Sequence, residues 1–167
     1  MSYNRSCTGF TLVELMVTLA VLMIMNSLAV PSFQGYLGNR AVQATAYQLL
    51  GTLDFARSEA IKRNGEVYVR ASAEGWQGGW AVVTDPSISF ESCLDSPNTC
   101  LRIASPSQVL IDGGTSTIVY QRAGRPSSPV PAFELCDSSA SDLVSRRQIA
   151  ITPTGRSQLS LEGSCSG

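Results

Sequence analysis

From Leu15 to Asn39 the chain carries no charged side chain, and the most apolar part, "LMVTLAVLMIMNSLAVP", runs from Leu15 to Pro31. No other feature narrows the possible folds so far. Counted from Phe10, the run supplies about 20 residues, the length a helix needs to cross a hydrocarbon core. One carboxylate, Glu14, stands at its start. A carboxylate deep in a bilayer costs roughly 2.5–3.5 kcal/mol on insertion scales, so one retained there calls for a partner. Arg5 is the only charged side chain ahead of Glu14, which keeps a short leader cytoplasmic and sends the rest of the chain outward.

A secretory signal peptide is the competing reading. Arg5 would be its n-region, Leu15–Met25 its h-region and "SLA" (Ser27–Ala29) its small-x-small cleavage site, with a product starting near Val30. Two features oppose it. Glu14 gives a signal peptide nothing, and the helical pattern continues past Pro31. Val42, Ala46, Leu49, Leu53, Ala56 and Ala60 step by four and three into one apolar stripe, with Gln43, Gln48, Arg57, Lys62 and Arg63 largely off it. Gly65 is a natural stop after Asn64. Pro31 predicts a bend in this rod rather than its end, and Gly35, Gly38 and Gly51 weaken it locally. A helix over Phe10–Asn64 would be about 80 Å long. Its first half would be buried in lipid or in other subunits, and its second half would be amphipathic.

After Gly65 the period changes. Short β-rich runs follow: Glu66–Ala71, Gly79–Thr84, Leu101–Ala104, Val109–Asp112, Thr117–Arg122, Ala132–Cys136, Arg147–Thr152 and Ser157–Glu162, punctuated by Gly, Pro, Ser and Asn. "TPTG" (Thr152–Gly155) reads as the hairpin turn between the last two. The pattern predicts an α+β fold, with an antiparallel β-sheet packed on the amphipathic half-helix. Trp76 and Trp80 read as core or hairpin packing rather than ligand platforms.

Composition excludes several functions. At 167 residues the chain holds one domain plus a terminal segment. Charged residues make up 15% and the formal net charge is −1, so a broad electrostatic grip on nucleic acid is not the default. Histidine is absent, which removes His-based acid–base catalysis and most zinc and haem sites. A Ser–Lys scheme would rest on Lys62 alone, beside Arg63 at a helix end. "TGRS" and "GGTST" have no GK[ST] and no phosphate-cradling loop around them. Glu59 and Lys62 read as a weak surface pair. No catalytic site, cofactor or metal is expected, and the chain does not read as an enzyme.

"TGFTLVEL" joins a Gly before a Phe, a Glu four residues after that Phe, and an apolar run closed by Pro31. It resembles the N-terminus of a type IV prepilin. The resemblance implies that prepilin peptidase removes residues 1–9 by cutting after Gly9 and that Phe10 becomes the N-methylated first residue. It assigns residues 10–31 to the membrane-spanning and assembly half of the helix, 32–64 to the amphipathic half and 65–167 to a β-sheet domain, the pilin fold. It also gives Glu14 an assembly role, neutralising the terminal amine of a neighbouring subunit. The physics agrees, because an ammonium at Phe10 and a carboxylate at Glu14 are each costly to bury alone and are satisfied as a pair. "LDFARSEAIKRN" (Leu53–Asn64), "EGWQGGWAVVTD" and "ITPTGRSQLSL" are similar to the helix end, first hairpin and last hairpin of one subgroup, the H-type minor pseudopilins of type II secretion and the FimT/FimU-type minor pilins. The likeness is weak between Asp85 and Ser145.

The implied function is a minor pilin, a structural subunit of a type IV pilus, with a type II secretion pseudopilin as the nearest alternative. Its implied partners are other major and minor pilins or pseudopilins, prepilin peptidase and an inner-membrane assembly platform. The implied location is the inner membrane with the C-terminal domain periplasmic, and then the fibre. Some FimT-type relatives bind DNA through a Gly-Arg-x-Arg element. Here those positions are Gly155, Arg156, Ser157 and Gln158, so the second Arg is missing; Arg156 is the candidate DNA contact of an alternative of another class, a DNA-binding pilus subunit for DNA uptake, and nucleic acid is not the expected partner. Arg122, Arg125, Arg146, Arg147 and Arg156 could share one sheet face, and affinity resting on them would be steeply salt-dependent.

Cys7 precedes the apolar run, and Cys93, Cys100, Cys136 and Cys165 follow it. A membrane boundary would leave Cys7 on the reducing side and four cysteines on the oxidising side. Three pairings of the four are open. The favoured one joins Cys93 to Cys100 and Cys136 to Cys165, closures of about 2.5 and 3.5 kcal/mol in the chain-entropy account. No CxxC spacing exists, so the bridges are structural.

Overall fold

The computed structural model describes residues 10–137 and 144–165, apart from the side chains of 26–34. Gly9, Cys7 and the leader lie outside the described residues. The chain divides at Gly35 and Tyr36 into two compact units, and each is described on its own. Helix α1, Leu12–Arg63, contributes to both. Pro31 falls within its bounds, and the bend expected there lies among residues whose side chains are outside the description.

In the second unit, the stripe Val42, Ala46, Leu49, Leu53, Ala56 and Ala60 is fully buried, as its 3.6-residue period predicts. Burying each leucine there is worth about 1.5–3 kcal/mol. Gly38 lets the helix approach the sheet domain closely, since a Cβ on it would stand 2.9 Å from Val144 Cγ2 and 3.0 Å from Asp137 Oδ2. The helix ends in a Schellman motif: Gly65 N donates to Ala60 O and Asn64 N to Ile61 O. The left-handed residue is Asn64, with φ +50°. Asn64, rather than the following Gly65, therefore makes the stop.

All eight expected strands form. They are β1 Val67–Ser72, β2 Gly75–Val83, β3 Arg102–Ala104, β4 Val109–Gly113, β5 Thr117–Tyr120, β6 Phe133–Asp137, β7 Ser145–Ile151 and β8 Ser157–Ser164. They make two four-stranded sheets rather than one, ordered β3-β2-β1-β5 and β4-β6-β7-β8, with antiparallel pairing throughout. Strand periodicity reports which face is buried, not which strands pair, so the split was not readable from it.

A short helix, α2 (Phe90–Asp95), and a 3₁₀ turn at Pro97–Thr99 occupy what read as loop. Ser89 caps α2 by accepting a hydrogen bond from Ser92 N at 3.2 Å. Phe90 and Cys93 pack with Ala81 and Val83 into a second apolar cluster. Trp80 and Val82, on the opposite face of β2, join the main core. Burial on both faces explains the unbroken apolar run in "GWAVV".

Both tryptophans are core residues. Trp80 Nε1 donates to Thr52 Oγ1 at 3.2 Å, and Trp76 Nε1 donates to Thr115 O at 3.1 Å. Trp76 also meets Phe133 edge-on, with ring centroids 4.9 Å apart. The favoured cysteine pairing forms, Cys93–Cys100 and Cys136–Cys165, with Cα–Cα distances of 5.7 and 5.6 Å.

Candidate assembly and processing site

Thr11 begins α1. Its Oγ1 accepts a hydrogen bond from Glu14 N at 3.2 Å, and its carbonyl accepts from Leu15 N at 3.2 Å. Thr11 is therefore the N-cap and Glu14 the N3 residue, the T-x-x-E spacing of a capping box. Sequence reasoning missed Thr11, although "TLVE" carried the signal. Glu14 consequently has a local use as well as the expected one. A carboxylate in the first turn faces the positive end of the helix dipole.

The described part of the first unit has no apolar interior. Leu12, Val13, Leu15, Met16, Val17, Leu19, Val21, Leu22, Met23, Ile24 and Met25 are all exposed, from 46% at Val21 to 74% at Leu12, and Phe10 is 82% exposed. These positions cover every side of the helix rather than one stripe. A helix that is apolar all round is stable only where lipid or other helices surround it. Thr18 does not break the apolar surface, because its hydroxyl donates to Leu15 O at 2.8 Å. Among the described residues no helix is both long and apolar enough to cross a membrane. The fully described run ends at Met25, short of the roughly 20 residues that a span requires.

The five arginines do not all share one sheet face. Arg146 and Arg147 are neighbours on β7 and point to opposite sides, and Arg146 pairs with Glu134 at 3.2 Å. Arg122 and Arg125 line one cleft with Asn64, Gly65 and Glu66, whereas Arg156 lines another with Arg57. The segments carrying Arg125 and Arg156 nevertheless touch, since a Cβ on Gly155 would stand 3.4 Å from Arg125 Cα. Arg156 follows the "TPTG" turn, where Gly155 N donates to Thr152 O at 2.8 Å and Gly155 takes φ +82°.

The Glu59–Lys62 pair is larger than expected. Glu59 is nearly buried and bridges Arg63 Nε at 2.9 Å and Lys62 Nζ at 3.0 Å. The hydrogen bonds from Arg63 and then Lys62 hold its carboxyl below the usual range. Both cations also sit at the C-terminal end of α1, where the dipole favours them.

Comparison with known proteins agrees with this architecture. Two crystal structures of the type IV minor pilin FimU from Pseudomonas aeruginosa strain PAO1, in space groups P65 and P21, share the fold with TM-scores of 0.59 and 0.57. They are 20% and 19% identical to this chain. The match covers 74% of this chain in both cases, and 98% and 94% of the FimU chains. No curated protein matches the sequence. The prokaryotic N-terminal methylation motif matches residues 4–25, a span that includes Gly9, Phe10 and Glu14. The family model of the type II transport protein GspH matches residues 45–155, more than half of the chain. The chain belongs to the GspH family, with a pilin-type α+β fold and an N-terminal methylation motif.

Proposed function

We propose that this chain is a minor pilin, a structural subunit that enters a type IV pilus after prepilin peptidase cuts between Gly9 and Phe10. One observation carries the reading: the Phe10–Met25 segment is apolar on every side and, among the described residues, nothing within its own unit covers it. Such a surface suits a helix that waits in a lipid bilayer and then moves into a bundle of like helices. The leader, residues 1–9, is lost. Residues 10–31 anchor the chain in the inner membrane with the β-domain periplasmic, and residues 32–64 carry the sheet domain. Glu14 fixes axial register by pairing with the new amine of a neighbour's Phe10, a pair that spares both charges an unpartnered burial. An inner-membrane platform drives the transfer. No substrate is turned over.

Two measurements test this. The mass of the mature N-terminus is expected to show N-methylated Phe10, and a start near Val30 excludes the reading. Glu14→Ala is expected to be processed normally yet to enter fibres poorly, so normal incorporation of that variant removes the charge-pair mechanism. A second reading, a pseudopilin of a type II secretion system, is favoured by the GspH family match. It uses the same residues in a shorter fibre, and deleting the gene would then block protein secretion rather than piliation.

A further inference from the structure

A cleft of about 550 Å³ opens in the second unit between the last turns of α1 and the β7–β8 hairpin, lined by Asp54, Arg57, Ser58, Ile61, Arg156 and Ser157. Its polar groups are poorly served from within the chain. Among the described residues neither arginine forms an ion pair. Arg57 Nε is buried without a hydrogen-bond partner, while the buried Ser157 and Tyr120 hydroxyls have only each other. A buried donor that lacks an acceptor costs about 1–3 kcal/mol, so a native chain that keeps the Arg57 Nε–H unpaired beside this opening is short of a partner there.

The cleft is also held in shape. Gly124 packs directly on the Arg57 stem and Ile61, since a Cβ on it would meet Ile61 Cδ1 at 2.7 Å and Arg57 Cγ at 3.2 Å. Gly155 in turn packs on Gly124 O, leaving no room for a side chain. The stem of Arg57 is thereby packed before any ligand arrives, which lowers the entropy cost of binding.

We propose that this cleft docks a carboxylate-bearing peptide segment, an Asp or Glu side chain with an adjacent amide N–H, presented by a neighbouring subunit. Arg57 and Arg156 converge on the carboxylate, Ser157 Oγ adds a donor, and the Asp54 carboxylate accepts the amide N–H. Asp54 decides the ligand class. A phosphodiester strand would bring its next charge against Asp54, whereas a peptide complements two cations and one anion together. The source of the segment rests on the assembly reading above, but the chemistry of the cleft does not.

The test uses the full chain with ¹⁵N-labelled arginine in non-ionic micelles, following the Arg57 Nε–H resonance assigned by Arg57→Lys. The probes are the dipeptide amide Ac-Asp-Gly-NH2, its neutral counterpart Ac-Asn-Gly-NH2, inorganic phosphate and a single-stranded oligonucleotide. Ac-Asp-Gly-NH2 is expected to shift the resonance downfield and saturably. Ac-Asn-Gly-NH2, or Arg156→Gln in the protein, should weaken binding about tenfold by removing a charge-assisted contact. Asp54→Asn should weaken the peptide and strengthen phosphate. Arg156 is exposed, so its variant keeps the fold, and the remaining arginine resonances check this. No shift at tens of millimolar peptide overturns the proposal. So does phosphate binding as tight as the peptide's, or displacement of the peptide by the oligonucleotide. Failure of the titration leaves fibre entry untouched. Failure of fibre entry, with the titration intact, overturns the assembly reading instead.

Discussion

Glu14 sits where two physical roles overlap, and substitution can separate them. As the N3 residue of a capping box, it could be replaced by Gln with little loss, because an amide serves that position. As half of the proposed charge pair, it would tolerate neither Gln nor Ala. Glu14→Gln is therefore expected to be processed, to keep the start of α1 and to enter fibres as poorly as Glu14→Ala; pull-down of assembled fibres reads the result. Thr11→Ala should do the opposite. It weakens the helix start by about 0.5–2 kcal/mol, measurable by amide exchange over the first turn, and leaves fibre entry near normal. If Gln restores assembly, the residue acts through the cap alone. Tyr120 offers a second residue-scale reading. Burial pushes its phenol up to about 12, so folding favours the neutral form. The stability this gives is complete below about pH 10, the ordinary tyrosine value, and is lost as pH climbs from there through 12. Tyrosinate absorbance should lose a late-titrating phenol in Tyr120→Phe, with Tyr68, raised by its hydrogen bond to Glu66, still present, and that variant should lose less stability across the same window.

Among the elements, α1 was legible because its period is physical. Six apolar residues stepping by four and three leave one burial solution, and all six are buried. The hairpin turn at Thr152–Gly155 was legible for a similar reason, since Pro153 and Gly155 supply the backbone angles it needs. Helix α2 was not. At six residues it is too short for periodicity, and only Ser89 and the Cys93–Cys100 closure mark it. Sheet partition was hidden as well, because the long connections between β5, β6 and β7 carry no pairing information. At the candidate site the methylation motif with Glu14 was legible, whereas the Arg57–Arg156 cleft joins residues about a hundred positions apart and needed the fold. The end of α1 yields a prediction at this scale. Asn64 takes a left-handed angle that costs an ordinary side chain about 1–2 kcal/mol. Asn64→Ala should lower the urea midpoint by about that free energy, and Asn64→Gly should be neutral or stabilising.

For the whole molecule, two staples and the ion cluster around Glu59 set how the folded unit responds to its surroundings. The cluster gives an acid limit. Glu59 is held below its ordinary value, so its contribution is full above about pH 4.5 and is lost as pH falls through the depressed value. Glu59→Gln should flatten the acid limb of the stability curve. The staples act differently, chiefly on the unfolded chain. Cys93–Cys100 closes a separation of 7 residues and sits beneath α2, in the smaller apolar cluster. Cys136–Cys165 closes 29 and ties β6 to the chain just past β8, across the intervening β7. The longer closure removes more freedom from the unfolded state, about 3.5 against about 2.5 kcal/mol. Cys136→Ser with Cys165→Ser should thus destabilise the full chain more than Cys93→Ser with Cys100→Ser, as read by urea unfolding under oxidising conditions. The bridges serve different clusters, so removing both should cost close to the sum. A larger loss from the short bridge would mean that it holds α2 against Ala81 and Val83 in the folded state, and the entropic ranking would then fail for this fold.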